Sequence, residues 1–250
     1  YKRLSLQGGQ SRIHIVTYQG KRRVAKYPND TRCSIRALIN ERDALTQLKQ
    51  KETEHGYSSH LIRLVAASDD HSGPIILPYY SPETVDLQHS IERNCIQPHH
   101  DFGAILQITQ GLFFMLSRGY LHRDIKPENI LVKNQPDTLS RCPFTLILCD
   151  LGFAIRTTEK QVIRASDCDF KKGDPAYPPS PRFKRVGTLG YLAPEIPLLR
   201  RWTDTTDVWA LGDAALIPNK DKKNMLYKQK KVAYAPPNAQ FAVRQGHLLA

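Results

Sequence analysis

One short stretch constrains this chain more than any other, because it places an acid, a lysine and an amide in the order that phosphoryl transfer needs. Residues 122–132 read His-Arg-Asp-Ile-Lys-Pro-Glu-Asn-Ile-Leu-Val. Asp124 can accept the proton of an attacking hydroxyl, Lys126 can neutralise charge on a migrating phosphate, and Asn129 can hold a divalent metal ion. So many fixed positions within one loop make a chance surface loop a poor explanation. We therefore predict a phosphoryl-transfer site here.

The stretch resembles the catalytic loop of eukaryotic-type serine/threonine protein kinases, whose pattern is H-R-D-[LI]-K-P-x-N. The resemblance implies that Asp124 orients the acceptor hydroxyl and takes its proton, and that Lys126 stabilises the transferred charge. It also implies ATP as the phosphate donor, Mg²⁺ held in part by Asn129, and protein substrates with Ser or Thr acceptors.

A second motif follows an apolar run that is typical of a short buried strand. Cys149-Asp150-Leu151-Gly152 comes directly after residues 144–148, and Asp150 lies 26 residues beyond Asp124. The motif resembles the D-F-G motif of the kinases, with Leu in place of Phe, and implies that Asp150 is the second Mg²⁺ ligand. Residues 134–141 read as a small polar insertion between two strands.

Two further motifs occur in the order that the kinase family has them. Residues 187–195, Gly-Thr-Leu-Gly-Tyr-Leu-Ala-Pro-Glu, resemble the end of a kinase activation segment. This resemblance implies that Thr188 contacts Asp124 and Lys126, as in serine/threonine rather than tyrosine kinases. Asp207 begins a stretch that resembles the start of the central helix of the C-terminal lobe, and we expect it to tether the backbone of the catalytic loop.

The N-terminal part supplies a lysine and a glutamate for the same site. Lys26 lies in a stretch that follows a Gln19-Gly20 turn, which predicts a β-hairpin. A helix is predicted from about residue 34 to residue 49, and Glu41 flanks its apolar face. The resemblance to the kinases implies that Lys26 and Glu41 form an ion pair that positions the phosphates of ATP. The predicted apolar face comprises Ile35, Leu38, Ile39, Leu45 and Leu48.

The remaining nucleotide contacts are assigned by alignment to the kinase family. The phosphate-covering loop falls on residues 6–13, where only the middle glycine of the family's three is kept. Glycine matters there because backbone amides approach the phosphates closely. The strand and hinge between the lobes fall on residues 74–81. The residues expected to contact the nucleotide are Gly8, Gly9, Ile13, Lys26, Leu77, Tyr79 and Leu131.

The resemblance implies an α+β, bilobal protein-kinase-like fold. We expect a small β-rich N-terminal lobe over residues 1–80 and a helical C-terminal lobe over residues 81–215. Residues 216–250 form an atypical basic segment in which apolar periodicity is poor and prolines interrupt helices. We therefore expect a C-terminal lobe that lacks its last helices. A non-catalytic pseudokinase or binding module is the alternative to an active enzyme, because the glycine loop is eroded and the lobe is short.

Composition bounds the other classes of function. No run of 18 apolar residues occurs, so we expect no membrane span. The net charge is +12, of which residues 1–30 contribute +6 and residues 213–250 contribute +5. Nucleic-acid binding is one explanation of these basic ends. We favour solvated flanks, because no basic motif interleaved with aromatic residues accompanies the charge.

The cysteines fit a reducing compartment. The chain has five of them, at positions 33, 95, 142, 149 and 168, without a C-x-x-C spacing, which favours free thiols over disulfides or zinc. No signal peptide is visible, although the chain starts at Tyr1 rather than Met, so a true N-terminus could be missing. We expect an intracellular protein, cytoplasmic or nuclear. For Cys149 we favour a small buried residue at a strand end over an electrophile-sensitive thiol.

Overall fold

The computed structural model describes most of the N-terminal lobe and the part of the C-terminal lobe that carries the catalytic loop. A small β-rich lobe with one helix is followed by a lobe with the other helices, so the predicted bilobal α+β fold is confirmed. The predicted Gly8 and Gly9 lie outside the described residues, and so do residues 208–250, on which the expectation of missing last helices depends. The described residues are 11–50, 58–68, 70, 73–93, 95–157, 162–164, 188, 201–203 and 207.

The hairpin predicted around the Gln19-Gly20 turn is present. Strand β1 (Ser11–Tyr18) pairs with strand β2 (Lys21–Pro28) in antiparallel register. Gln19 and Gly20 both have positive φ, at 50° and 70°, which is the conformation of a two-residue turn whose twist matches that of the flanking strands. Lys26 therefore sits near the end of β2, opposite Ile13 of β1.

Two more of the described strands belong to the sheet of the N-terminal lobe. Strand β4 (Ile75–Pro78) pairs with β2 on one side and with the short strand β3 (Ala66–Ala67) on the other. The strand order is β1-β2-β4-β3. The register of β2 and β4 places Lys26 opposite Ile75, at the start of the strand that precedes the predicted hinge residues.

Helix α1 (Arg32–Gln50) extends the predicted helix by two residues at its start and one at its end. Its buried side chains include Leu38, Leu45 and Leu48, which belong to the predicted apolar face, and Ile35 and Ile39 are partly buried. Burying such a face against the sheet is the main source of stability for a helix of this length. Glu41 is 1% exposed on the same helix, so its carboxylate needs a partner.

The C-terminal lobe combines helices with short antiparallel strands. The described elements are β5 (Val85–Asp86), α2 (Leu87–Glu92), α3 (Asp101–Leu116), β6 (Tyr120–Leu121), β7 (Ile130–Lys133), β8 (Thr145–Leu148), β9 (Ile155–Arg156), β10 (Val162–Arg164) and β11 (Arg201–Thr203). These strands pair in the orders β5-β7-β8, β6-β9 and β10-β11. Asp86 caps helix α2 by accepting a hydrogen bond from the backbone N–H of His89 at 2.8 Å. Single 3₁₀ turns cover Pro98–His100, Pro127–Asn129 and Leu151–Phe153.

The segment between α1 and β3 fastens the N-terminal lobe to strand β8. The Leu148 N–H donates to the His60 carbonyl and the Ile62 N–H donates to the Leu148 carbonyl, both at 2.9 Å, around a parallel bridge between Leu61 and Leu148. All of these backbone groups are buried, and their pairing meets the requirement that buried polar groups be satisfied. Strand β8 leads directly to Asp150, so this contact also fixes the position of Asp150 relative to the N-terminal lobe.

Helix α3 packs closely against this fastening and against the polar insertion between β7 and β8. Gln107 donates to the Ser140 hydroxyl at 2.7 Å and accepts from the Leu146 N–H at 2.6 Å, which anchors the insertion. Two apolar side chains of α3, those of Phe102 and Phe113, are 71% and 70% exposed. None of the described helices combines the length and apolar character needed to cross a membrane.

We predict that Gly111→Ala destabilises the fold although Ala is the better helix former. A Cβ at this buried position of α3 would lie 2.6 Å from the carbonyl oxygen of His60. Helix propensity favours Ala by about 1 kcal/mol, whereas overpacking against fixed backbone costs about 1–3 kcal/mol. We expect the free energy of unfolding, measured by urea titration, to fall by up to about 2 kcal/mol.

Thr109→Ala is the matched control, because Thr109 is exposed on the same helix. It should leave the free energy of unfolding unchanged or slightly higher. A Gly111→Ala protein more stable than the wild type would show that α3 and His60 are not packed this closely.

Candidate functional site

Lys26 lies at the centre of a buried group of charges. Its Nζ donates to Glu41 Oε2 at 2.6 Å and to Asp150 Oδ1 at 2.9 Å. Strand β2 supplies the lysine, helix α1 the glutamate, and the turn after β8 the aspartate. The structure therefore contains the ion pair that the sequence predicts, and adds Asp150 to it as a third member.

Burial and charge act in opposite directions on these groups. Burial by itself would lower the pKa of Lys26, but Glu41 and Asp150 outweigh it and raise that pKa above its usual value. Complete burial raises the pKa of Glu41, although Lys26 opposes this change. For Asp150, the neighbouring Lys26 overcomes the effect of burial and lowers the pKa of the carboxyl. Lys26 is thus protonated and Asp150 ionised at neutral pH.

Asp150 adopts an unusual backbone conformation. Its φ of 62° and ψ of 73° lie in the left-handed region, which Asp and Asn tolerate better than other non-glycine residues. The side chain is 48% exposed, whereas that of Glu41 is 1% exposed. Asp150 is therefore the most exposed member of the charged group.

The catalytic loop gathers a second group of side chains around Asp124. Asn129 Nδ2 donates to the Asp124 carbonyl at 2.8 Å and to its Oδ2 at 2.9 Å. Lys126 Nζ lies 3.1 Å from the same Oδ2. The Thr188 hydroxyl donates to Asp124 Oδ1 at 2.7 Å and accepts from Lys126 Nζ at 2.9 Å. These are the two contacts that the kinase resemblance implies for Thr188.

The backbone of the catalytic loop is held by Asp207. Its two carboxylate oxygens accept from the N–H groups of His122, at 2.6 Å, and of Arg123, at 2.8 Å. Arg123 has a φ of 66°, a left-handed conformation that costs about 1–2 kcal/mol for a non-glycine residue. Charge-assisted hydrogen bonds to a buried carboxylate offset a cost of this size. The tether expected from the sequence at Asp207 is present.

Strand pairing brings the two predicted metal ligands together. Asn129 directly precedes β7, and Asp150 is the second residue after β8. Ile130, the first residue of β7, is opposite Leu148, the last residue of β8. The Cys149 N–H donates to the Asn129 carbonyl at 2.9 Å, so the pairing continues past the strand ends. In addition, His122 Nε2 lies 3.0 Å from the Cys149 carbonyl and joins the catalytic loop to the same point.

The side chains of Asn129 and Asp150 fit a magnesium ion. Both contacts of Asn129 with Asp124 use Nδ2, which makes Oδ1 the atom available to a cation. Asp150 commits Oδ1 to Lys26 and keeps a negative charge on a half-exposed side chain. Mg²⁺ prefers such oxygen ligands, and it commonly takes one or two from the protein and the rest from water and substrate phosphates.

Three of the residues expected to contact the nucleotide share one face of the N-terminal sheet. In an antiparallel pair, directly opposed residues lie on the same face, and positions two apart along a strand do as well. Ile13 is opposite Lys26, and Leu77 is opposite Val24, which is two residues before Lys26. Ile13 and Leu77 therefore flank the lysine. Tyr79, after β4, and Leu131, in β7, are half-buried on separate segments.

The side-chain contacts of Asn40 and His122 near the site were not predicted from the sequence. Asn40 on α1 donates to backbone carbonyls of the turn that follows Asp150, and His122 reaches the Cys149 carbonyl. A signal for Asn40 was available, because Asn is a weak helix former that is uncommon in helix interiors without a specific bond. No comparable signal marks the ring of His122, since its partner is a backbone atom of a distant strand.

Comparison with known proteins identifies the class of molecule to which this site belongs. The family described as protein kinase domain matches residues 21–233. The chain therefore belongs to the protein kinase domain family. The matched region includes residues 216–233, which the motif-based boundary at residue 215 leaves out.

The similar curated proteins are eukaryotic protein kinases. An Aurora kinase of Candida glabrata is 29% identical over 189 residues, which is 72% of this chain and 44% of that protein. The serine/threonine-protein kinase CLA4 of Saccharomyces cerevisiae is 32% identical over 43% of this chain and 10% of that protein. The calcium/calmodulin-dependent protein kinase type 1 of Caenorhabditis briggsae is 30% identical over 45% of this chain and 25% of that protein. The chain thus spans less than half the length of each of these relatives.

We predict that Cys149 reacts slowly with electrophiles although it adjoins the site. Its Sγ donates to the Asn129 carbonyl at 3.3 Å, and burial, followed by the charge of Asp150, raises the pKa of the thiol well above its usual range. The thiolate is the nucleophilic form, so a neutral thiol reacts poorly at pH 7.5. In the folded protein, iodoacetamide should alkylate Cys149 about tenfold or more slowly than the exposed Cys33 and Cys95.

Peptide mass spectrometry over a time course measures the three rates in one sample. Unfolding in urea should bring Cys149 to the rate of the other two, because the raised pKa depends on the folded environment. Labelling of Cys149 as fast as Cys95 in the native protein would contradict the predicted protection.

Proposed function

We propose that the chain is an active serine/threonine protein kinase that transfers the γ-phosphate of ATP, bound with Mg²⁺, to hydroxyl groups of protein substrates. The observation that carries the proposal is the arrangement around Asp124, where a lysine, an amide and a threonine hydroxyl all contact one buried carboxylate. Membership of the protein kinase domain family supports it. Lys126, Asn129 and Thr188 hold Asp124 in the arrangement that phosphoryl transfer needs, which favours an active enzyme over a non-catalytic module.

Asp124 is the proposed catalytic base. Its Oδ2 is held by Asn129 and Lys126 and its Oδ1 by Thr188, so the carboxylate has a fixed orientation before substrate arrives. Fixed orientation removes the entropy cost of finding the reactive geometry. The acceptor hydroxyl of a substrate would donate to this carboxylate and transfer its proton there as the new P–O bond forms.

Lys126 is proposed to stabilise the charge that moves with the phosphoryl group. Its ammonium group lies between the Asp124 carboxylate and the Thr188 hydroxyl, within hydrogen-bond distance of both. A positive charge placed beside the base acts on the transferred group in the transition state. Thr188, whose hydroxyl contacts both groups, is proposed to hold Lys126 and Asp124 in their relative positions.

The other end of the site is proposed to hold the nucleotide. Lys26 would donate to the α- and β-phosphates while Glu41 keeps its ammonium in place. Asn129 Oδ1 and Asp150 would hold Mg²⁺. The chemistry that Mg²⁺ supplies when bound is neutralisation of the phosphate charge. Ile13, Leu77, Tyr79 and Leu131 are proposed to contact the base and sugar, and Gly8 and Gly9 the phosphates.

We predict that Asp124→Asn removes phosphate transfer but not nucleotide binding. The amide has nearly the same size but cannot accept a proton, and a positioned base contributes about 10²–10⁴-fold to the rate. The initial rate of γ-phosphate transfer from radiolabelled ATP to a generic Ser/Thr substrate should fall by about that factor. The thermal shift with Mg²⁺-ATP should be kept.

Glu128→Gln is the matched control. It makes the same chemical change four residues along the same loop, but at an exposed position. We expect transfer within about twofold of the wild type. If both variants and the wild type show the nucleotide shift with no transfer, the chain is a nucleotide-binding pseudokinase and the proposal fails.

We further predict that Asp150→Asn loses the Mg²⁺-dependent part of the thermal shift. Asn tolerates the left-handed backbone of this position, so the turn is preserved while one negative charge is removed. A ligand stabilises the fold in proportion to the logarithm of its concentration over its dissociation constant. Comparing the shift with ATP plus EDTA and ATP plus Mg²⁺ isolates the metal, and an unchanged difference would exclude Asp150 as a ligand.

A further inference from the structure

The turn that follows Asp150 has all of its carbonyl groups held by side chains. Asn40 Nδ2 lies 2.7 Å from the Ala154 carbonyl, 3.0 Å from that of Gly152 and 3.4 Å from that of Leu151. The fourth carbonyl, that of Phe153, accepts from Arg123 Nε at 2.7 Å. A 3₁₀ turn satisfies few of its own carbonyls, so the two side chains replace bonds that the turn does not make.

The same turn is in close contact with one face of helix α1. Ala37, Asn40 and Glu41 are spaced i, i+3 and i+4, which places them side by side on a helix. A Cβ on Gly152 would lie 3.2 Å from the Ala37 Cβ, and Glu41 Oε1 accepts from the Leu151 N–H at 3.3 Å. Asn40 supplies the shortest of these contacts between helix and turn.

We infer that Asn40 is a positioning residue that fixes the orientation of the Asp150 carboxylate by binding the turn behind it to helix α1. Glu41, the next residue along the helix, holds Lys26, and Lys26 holds Asp150. One shift of α1 would therefore move the phosphate-binding lysine and the proposed metal ligand together. The catalytic consequence of this inference rests on the proposed function. The contact between Asn40 and the turn is independent of that function.

The backbone of Asp150 explains why such support is needed. A non-glycine residue in the left-handed region persists only where the surrounding structure over-determines it. The ion pair with Lys26 holds the side chain of Asp150. That side chain makes no capping hydrogen bond to the turn that follows. Asn40 and Arg123 hold the backbone that follows. Without the amide of Asn40, the turn can leave this conformation and take the carboxylate with it.

The test replaces Asn40 by Leu, which has nearly the same shape but no donor. Leu is also the better helix former, so helix α1 itself is not weakened. Gln47→Leu makes a comparable change at an exposed position of the same helix and is the matched control. Asn40→Gln keeps an amide donor and tests for rescue.

The first readout is hydrogen–deuterium exchange, followed by mass spectrometry, of the peptide that covers residues 150–156 in the nucleotide-free protein. Two good hydrogen bonds of about 1 kcal/mol each correspond to about a tenfold or greater increase in local exchange. We expect this increase in Asn40→Leu, no change in Gln47→Leu, and partial recovery in Asn40→Gln. Exchange in Asn40→Leu that equals that of Gln47→Leu overturns the inference, whether or not the protein transfers phosphate.

The second readout separates positioning from a general loss of structure. In Asn40→Leu the Mg²⁺ concentration that gives half of the maximal transfer rate should rise by about tenfold, while the thermal shift with ATP in EDTA stays within about twofold in apparent affinity. A uniform fall in rate with an unchanged Mg²⁺ requirement would overturn the inference. If the wild type transfers no phosphate, the proposed function fails, and the exchange experiment alone decides on Asn40.

Discussion

The rest of this structure depends on a single buried ammonium group shared by two carboxylates. Lys26, Glu41 and Asp150 come from three separate elements, and Asp150 lies 124 residues from the lysine in sequence. Removing the charges of Lys26 and Glu41 from water costs several kcal/mol for each ion, so these two are tolerated only where their partners are in place. The arrangement therefore links the sheet, helix α1 and the turn after β8, because a displacement of any one of them leaves a buried charge without its partner.

Backbone pairing explains how the charged side chains of the site are held in fixed positions relative to one another. Strands β7 and β8 bring Asn129 and Asp150 to the same end of one hairpin, and the segment through Leu61 fastens that hairpin to the N-terminal lobe. The catalytic loop is tied to the same place, since the His122 ring reaches the Cys149 carbonyl. The side chains of Asn129 and Asp150 thus project from backbone that is held by strand pairing, and such support keeps a site rigid.

Much of this arrangement could be predicted from the sequence, and the exceptions have a common cause. Asp124 and Asp150, whose chemistry depends on their own side chains, stand out as motifs, whereas Lys26 is assigned from its context in the sequence. Contacts to backbone atoms can leave no pattern, because the partner can be any residue type, and the contact of the His122 ring with the Cys149 carbonyl is one of these. Helix α3 shows a further limit. It has apolar residues on most of its circumference, so periodicity alone does not indicate that Phe102 and Phe113 face outward.

The charged group also indicates how nucleotide and metal binding depend on each other. An ammonium group has three donors, and Lys26 uses one on Glu41 and one on Asp150, which leaves the third for a phosphate. A phosphate that approaches this donor also approaches the ionised Asp150, whose lowered pKa keeps it negative at neutral pH. The two anions would then share the single positive charge of Lys26 with Glu41, which leaves an excess of negative charge. In the proposed function, a divalent ion held in part by Asp150 would balance this excess, so the carboxylate that helps to hold Lys26 in place would also favour metal binding together with the phosphates.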